Sequence, residues 1–259
     1  MRCTAFYRTY GGENEAPRPS WYSKELCILS FIQAVSVLRR TVETDLVVLH
    51  DGSLEDNRQW SEQLERFLAN TGSLCELPKT NNAASCLAVV RRACELEPDR
   101  VVVFAEDDYL WLPASLHKMI AALAGVPADY VTGYDHPVRY QPEYPRGADL
   151  PHWDNYIYFV GDHHWRTQES TCMTFGTSVR VLREDLEVFL EHHNNGKNYP
   201  DDRVLFRHLQ GLGGYGASHK RRLVGPMPSL NTHAHLPWLA PGVDWDAAAG
   251  DIERETAAR

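Results

Sequence analysis

The sequence predicts an α/β fold in which a mostly parallel central sheet is flanked by helices. Three short apolar runs, each ending in polar residues, alternate with helix-like segments along the first half of the chain. Runs of this length and β-branched content are typical of strands buried in a parallel sheet. Alternation of strands and helices is the pattern of α/β domains, and 259 residues are enough to bury a large core.

The three predicted strands span residues 3–7, 46–49 and 101–105. They are followed by Arg8-Thr9, by His50-Asp51-Gly52-Ser53 and by Glu106-Asp107-Asp108. The carboxyl ends of parallel strands are where open α/β sheets collect ligands, so these polar residues are candidates for a binding site. The alternative is that they only solvate the strand ends.

Helices are predicted between and after these strands. Apolar residues at every third position indicate a helix over about 23–40. Further helices are predicted over 57–70, 83–95, 113–123, 183–192 and 204–209, and short strands over 130–133, 156–160 and 171–177. Residues 134–165 are irregular and rich in proline, histidine and aromatic residues, as is typical of binding loops or lids. The segment after Asp246 is expected to be a frayed or loose helix.

The charge balance limits what the protein can bind. Lysine and arginine number 26 against 35 acidic residues, a net charge of −9, which argues against a broad grip on nucleic acid or an anionic membrane. No stretch approaches the roughly 20 apolar residues of a membrane span. The six cysteines form no C-x-x-C pair, which indicates reduced thiols. We therefore expect a cytoplasmic protein without a membrane span.

The acidic triplet Glu106-Asp107-Asp108 is the strongest local signal for chemistry. Three acids at the end of a buried strand repel one another and lose hydration, so we expect something cationic to compensate them. Carboxylate oxygens suit Mg²⁺ or Mn²⁺ bridging the phosphates of a nucleotide. The alternative is a solvated strand end or a helix N-terminus, which also favours acids.

Together these residues resemble the nucleotide-sugar half of a GT-A glycosyltransferase, most closely the inverting family 2. The second strand of that family typically ends in Asp-Asp-Gly-Ser, and here the residues are His50-Asp51-Gly52-Ser53. The resemblance implies that Asp51 contacts the nucleobase, whereas His50 departs from the pattern. The segment Asn81-Asn82-Ala83-Ala84-Ser85 resembles the helix before the metal-binding strand, which implies a binding role for Asn82.

The resemblance also implies roles at the ends of the first and third strands. The acidic triplet matches the Asp-x-Asp-type motif, with Asp108 as direct ligand of Mn²⁺ or Mg²⁺ and with Glu106 or Asp107 near the ribose and sugar. Arg8 and Thr9 end the first strand, where the family contacts the nucleotide. The basic cluster Lys220-Arg221-Arg222 could also face the diphosphate, although such clusters are often solvated surface.

A candidate base lies in the second half of the chain. Asp201-Asp202 resembles the Glu-Asp motif at a helix start, whose second acid is the general base in the family. This implies Asp202 as the base, with Asp201 as the alternative carboxylate. An aspartate that follows proline at a helix start is also a common cap.

The segment Asn231-Thr232-His233-Ala234-His235 holds two further candidate ligands. In an extended segment, His233 and His235 would point to the same face and could approach one cation. GT-A enzymes often supply a C-terminal histidine to the metal, which this segment resembles. His235 is the preferred ligand because the following Leu-Pro-Trp-Leu turn could fold over the site, and surface or core hydrogen bonding is the alternative for both histidines.

The combined interpretation is a metal-dependent inverting glycosyltransferase with a GT-A-like, Rossmann-like fold. It would move a sugar from a nucleoside-diphosphate donor, UDP-sugar favoured, to a small-molecule or glycan hydroxyl. One domain is expected over 1–259, with a donor-binding half (1–125), an acceptor-binding and catalytic half with an irregular region (126–245), and a tail (246–259).

Other readings of the sequence stay open. One is a nucleotidyltransferase, whose first strand is usually followed by a glycine-rich, basic loop. The corresponding residues here, Tyr10-Gly11-Gly12-Glu13-Asn14-Glu15, are acidic. Another is a non-catalytic nucleotide- or carbohydrate-binding module. A non-haem iron enzyme fits the strand pattern less well.

Overall fold

The structure, a computed structural model, describes residues 1–141, 155–194, 196–212, 215 and 220–257. The α-helices are α1 (Lys24–Leu38), α2 (Arg58–Leu68), α3 (Asn82–Ala93), α4 (Ser115–Gly125), α5 (Val179–Glu184), α6 (Leu186–His193), α7 (Asp202–Leu209) and α8 (Trp245–Ala257). The strands are β1 (Arg2–Tyr10), β2 (Glu43–Asp51), β3 (Ser73–Leu77), β4 (Val101–Glu106), β5 (Tyr109–Trp111), β6 (Tyr130–Val131), β7 (Ile157–Val160), β8 (His163–Thr167), β9 (Phe175–Ser178), β10 (Leu223–Met227) and β11 (Asn231–His233).

In the described part of the chain, nine strands form the central sheet, in the order β3-β2-β1-β4-β9-β6-β10-β8-β7. Strands β3, β2, β1 and β4 pair in parallel, and so do β6 and β10. Only β9 and β8 run against the others in the described part of the sheet. The predicted α/β fold with a mostly parallel central sheet flanked by helices is therefore confirmed.

Side chains of the central strands alternate between two apolar cores. In β4, Val101 and Val103 contact the core formed with α1, α4 and α8, whereas Val102 and Phe104 contact the core formed with α3, α5, α6 and α7. A strand covered on both faces needs apolar residues at every position, which explains the continuous apolar runs in the sequence. The carboxyl ends of β1, β2 and β4 lie outside these cores and line a cleft.

Several strands differ from the sequence prediction. β3 is half-exposed and lacks an apolar run, and β10 contains a glycine and a proline, so neither has a strong strand signal. The strand predicted over 171–177 begins only at Phe175 and inserts antiparallel between β4 and β6. β5 and β11 form a separate antiparallel pair.

The helix predicted over 183–192 is two helices that meet at Asp185. This residue is fully buried and accepts hydrogen bonds from Tyr130 and Arg221, which fix the break between α5 and α6.

The expectation of a frayed or loose tail is wrong, because α8 buries Trp245 and Ile252 against the core around α1. The division into halves of one domain stays a prediction.

The irregular stretch 134–165 is only partly described, because residues 142–154 lie outside the described residues. The described part contains a short 3-10 helix (Pro137–Tyr140) and the hairpin strands β7 and β8. Within the described ranges, none of the helices combines the length and apolar character that crossing a membrane requires.

Candidate active site

One cleft brings most of the predicted site residues together. It has a volume of about 610 Å³ and lies at the carboxyl ends of β1, β2 and β4. The predicted residues that line it are Arg8, Thr9, Asp51, Asn82, Glu106, Asp107, Asp108, Asp202 and His233. Asp201 and His235 are not among its lining residues.

Strand register explains why residues far apart in the chain meet here. In the parallel pairing of β1 with β4, Arg8 lies beside Glu106. In the pairing of β1 with β2, Tyr10 lies beside Asp51. The three strands therefore end at the same level and present their polar residues to one crevice, as expected for an open α/β sheet.

Glu106 is paired with Arg8. The Arg8 guanidinium donates to both carboxylate oxygens of Glu106 and, through Nη2, to Asn82 Oδ1 at 2.6 Å. Burial raises the pKa of Glu106, although the charge and hydrogen bonds of Arg8 partly offset this. Arg8 thus links the end of β1 with the acidic triplet and with the first residue of α3.

Asp107 is held by a hydroxyl and an ammonium group. Thr9 Oγ1 donates to Asp107 Oδ2 at 2.8 Å, and Lys24 Nζ lies 2.8 Å from the same oxygen. Trp60 Nε1 donates to Thr9 Oγ1 at 3.2 Å and so orients the hydroxyl. Asp107 is only 7% exposed, so these contacts replace most of its hydration.

Asp108 is held by a histidine and an arginine on one oxygen. His233 Nε2 lies 2.9 Å from Asp108 Oδ2, and Arg18 Nη1 lies 3.3 Å from the same atom. Burial alone would raise the pKa of Asp108, but the hydrogen bonds and charges of His233 and Arg18 outweigh burial and lower it to about 2. Asp108 is therefore a carboxylate at neutral pH.

The acidic triplet is thus compensated by side chains of the chain itself. Arg8, Arg18 and Lys24 each contact one of the three acids. Three adjacent acids predict a compensating cation, but nothing in the local sequence connects Arg18 and Lys24 to acids some 80 to 90 residues away. Only the position of Arg18 and Lys24 shortly after the first strand could have indicated a role at the acidic triplet.

The residues at Asp108 nevertheless suit a divalent ion. Asp108 Oδ2 and His233 Nε2 offer one oxygen and one nitrogen ligand 2.9 Å apart, a donor pair that suits Mn²⁺. Arg18 contacts the same oxygen, so an ion on that oxygen would have to displace the guanidinium. The remaining ligands would come from a bound diphosphate or from water.

A closed circle of six aromatic rings fixes His233. Neighbouring ring centroids lie 5.0 to 6.1 Å apart in the order Tyr109, His233, His235, Trp238, His136 and Tyr134. Tyr109 and His233 are register partners in the β5–β11 pair, and their rings stack with an interplanar angle of 4°. This packing limits the rotation of His233 and keeps Nε2 on Asp108.

The two histidines do not share one extended segment. β11 ends at His233, and the N–H of His235 donates to the His233 carbonyl at 2.8 Å, so the chain turns between them. The expectation that both project from an extended strand is wrong for this reason. Of the pair, His233 contacts Asp108, whereas the role of His235 as a metal ligand stays a prediction.

Asp202 reaches the same cleft from a helix and not from a strand end. It is the first residue of α7, and its Oδ1 accepts the Arg203 N–H at 2.7 Å. Burial raises the pKa of Asp202 to about 6; the Arg203 N–H and the nearby Cys172 thiol act against this effect, and Asp201 adds to it. Such a carboxyl can exchange a proton near neutral pH.

Asp201 has a different environment. Its carboxylate pairs with Lys197 Nζ at 2.6 Å, and as the N-cap residue of α7 it makes no side-chain capping hydrogen bond. The cap interpretation therefore has no support from Asp201. Of the two adjacent acids, Asp202 is the one that reaches the cleft.

We expect the pKa of Asp202 to appear in the pH dependence of activity. A base must be ionised, so kcat/KM should rise with pH through about 6 and level off above it. Cys172→Ala should move the midpoint upward, because the thiol lowers the pKa of Asp202. A pH–rate profile of the two proteins measures this, and a profile that is flat from about pH 5 to 8 would contradict it.

Asp51 and His50 have separate roles in the structure. Asp51 lines the cleft, and its Oδ1 accepts the Thr80 N–H at 3.2 Å. His50 is fully buried, and its Nδ1 lies 3.0 Å from the carbonyl of Gly52. Gly52 has a φ of +96°, which favours glycine, so His50 braces the turn that directs Asp51. His50 does not line the cleft.

The suggested diphosphate role of Lys220-Arg221-Arg222 is wrong. Arg221 pairs with Asp185 and Glu184, and Arg222 Nη1 donates to the Pro127 carbonyl at 2.9 Å. None of the three basic residues is among the residues that line the cleft.

Sequence reasoning also missed the segment that separates Asp108 from Asp202. Cys172 and Met173 line the cleft, and Met173 has a φ of +49°, which is unusual for a residue other than glycine. Burial raises the pKa of the Cys172 thiol well above its usual value, so the thiol is neutral and not a nucleophile. Backbone outliers of this kind cluster at functional sites.

Comparisons with protein families and with curated proteins find no match for this chain. One solved structure with a similar fold is the galactosyltransferase LgtC with donor and acceptor sugar analogues, at 11% identity and a TM-score of 0.44, with 79% of this chain and 69% of LgtC covered. A second is a fragment of S. aureus TarS with UDP, at 12% identity and a TM-score of 0.47, with 87% of this chain and 57% of the fragment covered. A third is 4-diphosphocytidyl-2C-methyl-D-erythritol synthase from Anaerococcus prevotii, at 11% identity and a TM-score of 0.46, with 98% of this chain and 96% of the synthase covered. The chain thus spans little more than half of the TarS fragment. At these identities and TM-scores, a functional proposal has to rest on the residues of this chain.

Proposed function

We propose that the protein is an inverting GT-A-type glycosyltransferase, similar to family 2, that moves a sugar from a UDP-sugar to a hydroxyl acceptor. The observation that carries this proposal is the composition of one cleft. The end of β4 contributes the acidic triplet with its cations, and the start of α7 contributes Asp202, a carboxyl whose pKa is raised to about 6. The triplet with its cations suits a nucleoside diphosphate, and Asp202 suits proton transfer.

The donor would lie along the ends of β1, β2 and β4. Asp51 would meet the base and Arg8 would meet the phosphates; this assignment is supported by their positions in the cleft lining at neighbouring strand ends. Asp108 and His233 would hold Mn²⁺ or Mg²⁺, which when bound neutralises charge on the diphosphate leaving group. Glu106 and Asp107 would then face the ribose and sugar.

Asp202 would act on the acceptor. Its carboxylate takes the proton of the acceptor hydroxyl while the hydroxyl oxygen forms a bond to the anomeric carbon of the sugar. The bond from that carbon to the diphosphate oxygen breaks, and its electron pair leaves with UDP. A single displacement of this kind inverts the anomeric configuration, and NMR of the first product tests it. A product with the donor's configuration would reject the inverting mechanism.

The nucleobase preference is a separate prediction. Uracil presents an imide N–H that an Asp51 carboxylate can accept, whereas cytosine and adenine present acceptors there. In the presence of Mn²⁺, UDP should bind at least about tenfold tighter than CDP or ADP, and Asp51→Ala should remove most of that preference. Calorimetry on these nucleotides decides the point. Tighter CDP or ADP binding, or an unchanged ranking in the variant, would remove Asp51 from the base pocket.

One observation favours a second candidate, a nucleotidyltransferase. Arg18 and Lys24 follow the first strand and contact the acidic triplet, which supplies the basic character that the loop sequence lacked. Such an enzyme would join a nucleoside triphosphate to a sugar phosphate and release pyrophosphate. Pyrophosphate release without UDP release from UDP-sugars would favour it. Nucleotide binding with neither reaction would favour a non-catalytic module.

A further inference from the structure

A second cluster of metal-ligating side chains lies between α6 and α7, outside the cleft. Glu191 and His192 belong to the last turn of α6, and His208 belongs to the last turn of α7. One ligand atom from each residue lies within 4.8 Å of the other two. These residues have no role in the transfer reaction proposed above.

The distances between the ligand atoms suit one ion. His192 Nε2 and His208 Nδ1 are 3.0 Å apart, and His208 Nδ1 and Glu191 Oε2 are 3.8 Å apart. In a tetrahedral site with metal–ligand bonds of about 2.0 to 2.1 Å, ligand atoms lie about 3.3 Å from one another. The two observed separations bracket that value, and Glu191 is exposed, so its side chain can adjust.

The histidine rings are held in place before any ion binds. The Tyr215 ring stacks on His208 at 4.5 Å and meets His192 edge-on at 6.0 Å. His192 is 7% exposed, so its ring has little freedom to rotate. Fixed ligands lose little entropy on binding, and the last turn of a helix favours positive charge.

The contact between the two imidazoles also suits a ligand role. Two ring nitrogens 3.0 Å apart have room for one proton between them, and a metal ion can replace that proton.

We propose that Glu191, His192 and His208 form a Zn²⁺ site that is separate from the candidate active site. Two imidazoles and one carboxylate are a characteristic donor set for zinc. An ion at this position would tie the last turns of α6 and α7 together. Because α7 begins at Asp202, the same ion would stiffen the helix that carries the candidate base.

Zinc titration of the full chain against a chromogenic chelator tests this proposal without any activity assay. The wild type should bind one equivalent at this site, and Asp108→Asn should leave that equivalent unchanged. Glu191→Gln should lower the zinc affinity of this site at least about tenfold, and His208→Ala should lower that affinity further. His164→Ala, which changes an exposed histidine of β8, is the matched control and should bind like the wild type.

Thermal unfolding gives an independent result. At one fixed zinc concentration, Zn²⁺ should raise the Tm of the wild type and of His164→Ala more than that of Glu191→Gln, whose exposed substitution should leave the fold intact. Equal zinc affinity in the wild type, Glu191→Gln and His208→Ala would overturn the proposal. So would a wild type whose Tm does not respond to zinc, because His192 and His208 would then form a hydrogen-bonded pair only.

Discussion

Asp202→Asn is expected to lower kcat by about a hundredfold or more while nucleotide binding stays close to that of the wild type. The substitution keeps the size of the side chain but removes the carboxylate that would take the acceptor proton, and a positioned base is usually worth a factor of this order. Steady-state kinetics and calorimetry with UDP measure the two effects separately.

Asp201→Asn is the matched control, because Asp201 pairs with Lys197 and does not line the cleft. It should keep most of the activity. If Asp201→Asn is crippled and Asp202→Asn is nearly normal, the assignment of the base is wrong.

The Asp202→Asn variant should also be more stable than the wild type above pH 6. The pKa of Asp202 is raised to about 6 in the folded protein, against about 3.9 in an unfolded chain. The folded state therefore binds the proton more tightly, and stability falls as pH rises through this window. Asparagine removes that cost, so a higher Tm with lower activity is expected. A lower Tm would indicate a mainly structural role.

Asp108→Ala is expected to abolish both turnover and metal-dependent nucleotide binding. Asp108 is the carboxylate that contacts His233, so its loss removes one of the two proposed protein ligands. Excess chelator should have the same effect on the wild type. His233→Ala should weaken both properties, and His235→Ala should weaken them less, because His235 lies outside the cleft lining.

Arg18 provides the contrasting variant. Arg18 shares Asp108 Oδ2 with His233, so Arg18→Gln should leave Mn²⁺-dependent nucleotide binding in place or tighten it. Full turnover of the wild type in excess chelator, together with loss of turnover in Arg18→Gln, would contradict the metal proposal. In that case the guanidinium, and not an ion, would supply the positive charge.

The part of the fold that builds the cleft could be predicted because its strands are buried on both faces. Strands β1, β2 and β4 have uninterrupted apolar sequences that end in polar residues, and this pattern follows directly from their position between two cores. Edge and inserted strands such as β3 and β10 carry no such pattern, since their stability comes from pairing with neighbours.

The candidate site could be predicted only where its residues sit at predictable strand or helix ends. Asp51, Glu106 and Asp202 are such residues. Arg18 and Lys24 reach the acidic triplet through long-range packing of the segment after β1, which no local pattern encodes. The choice between His233 and His235 depended on where β11 ends, and strand ends are the least predictable feature of a sequence.

Release of UDP from UDP-sugars is the measurement that tests the central claim most directly. The wild type is incubated with Mn²⁺, a panel of UDP-sugars and a mixture of hydroxyl acceptors, and Asp202→Asn and Asp201→Asn are run in parallel. Sugar transfer predicts UDP release by the wild type and by Asp201→Asn, and release at least about a hundredfold slower by Asp202→Asn. Equal rates in all three proteins, or pyrophosphate release from UTP and a sugar phosphate in place of UDP release, would contradict the account.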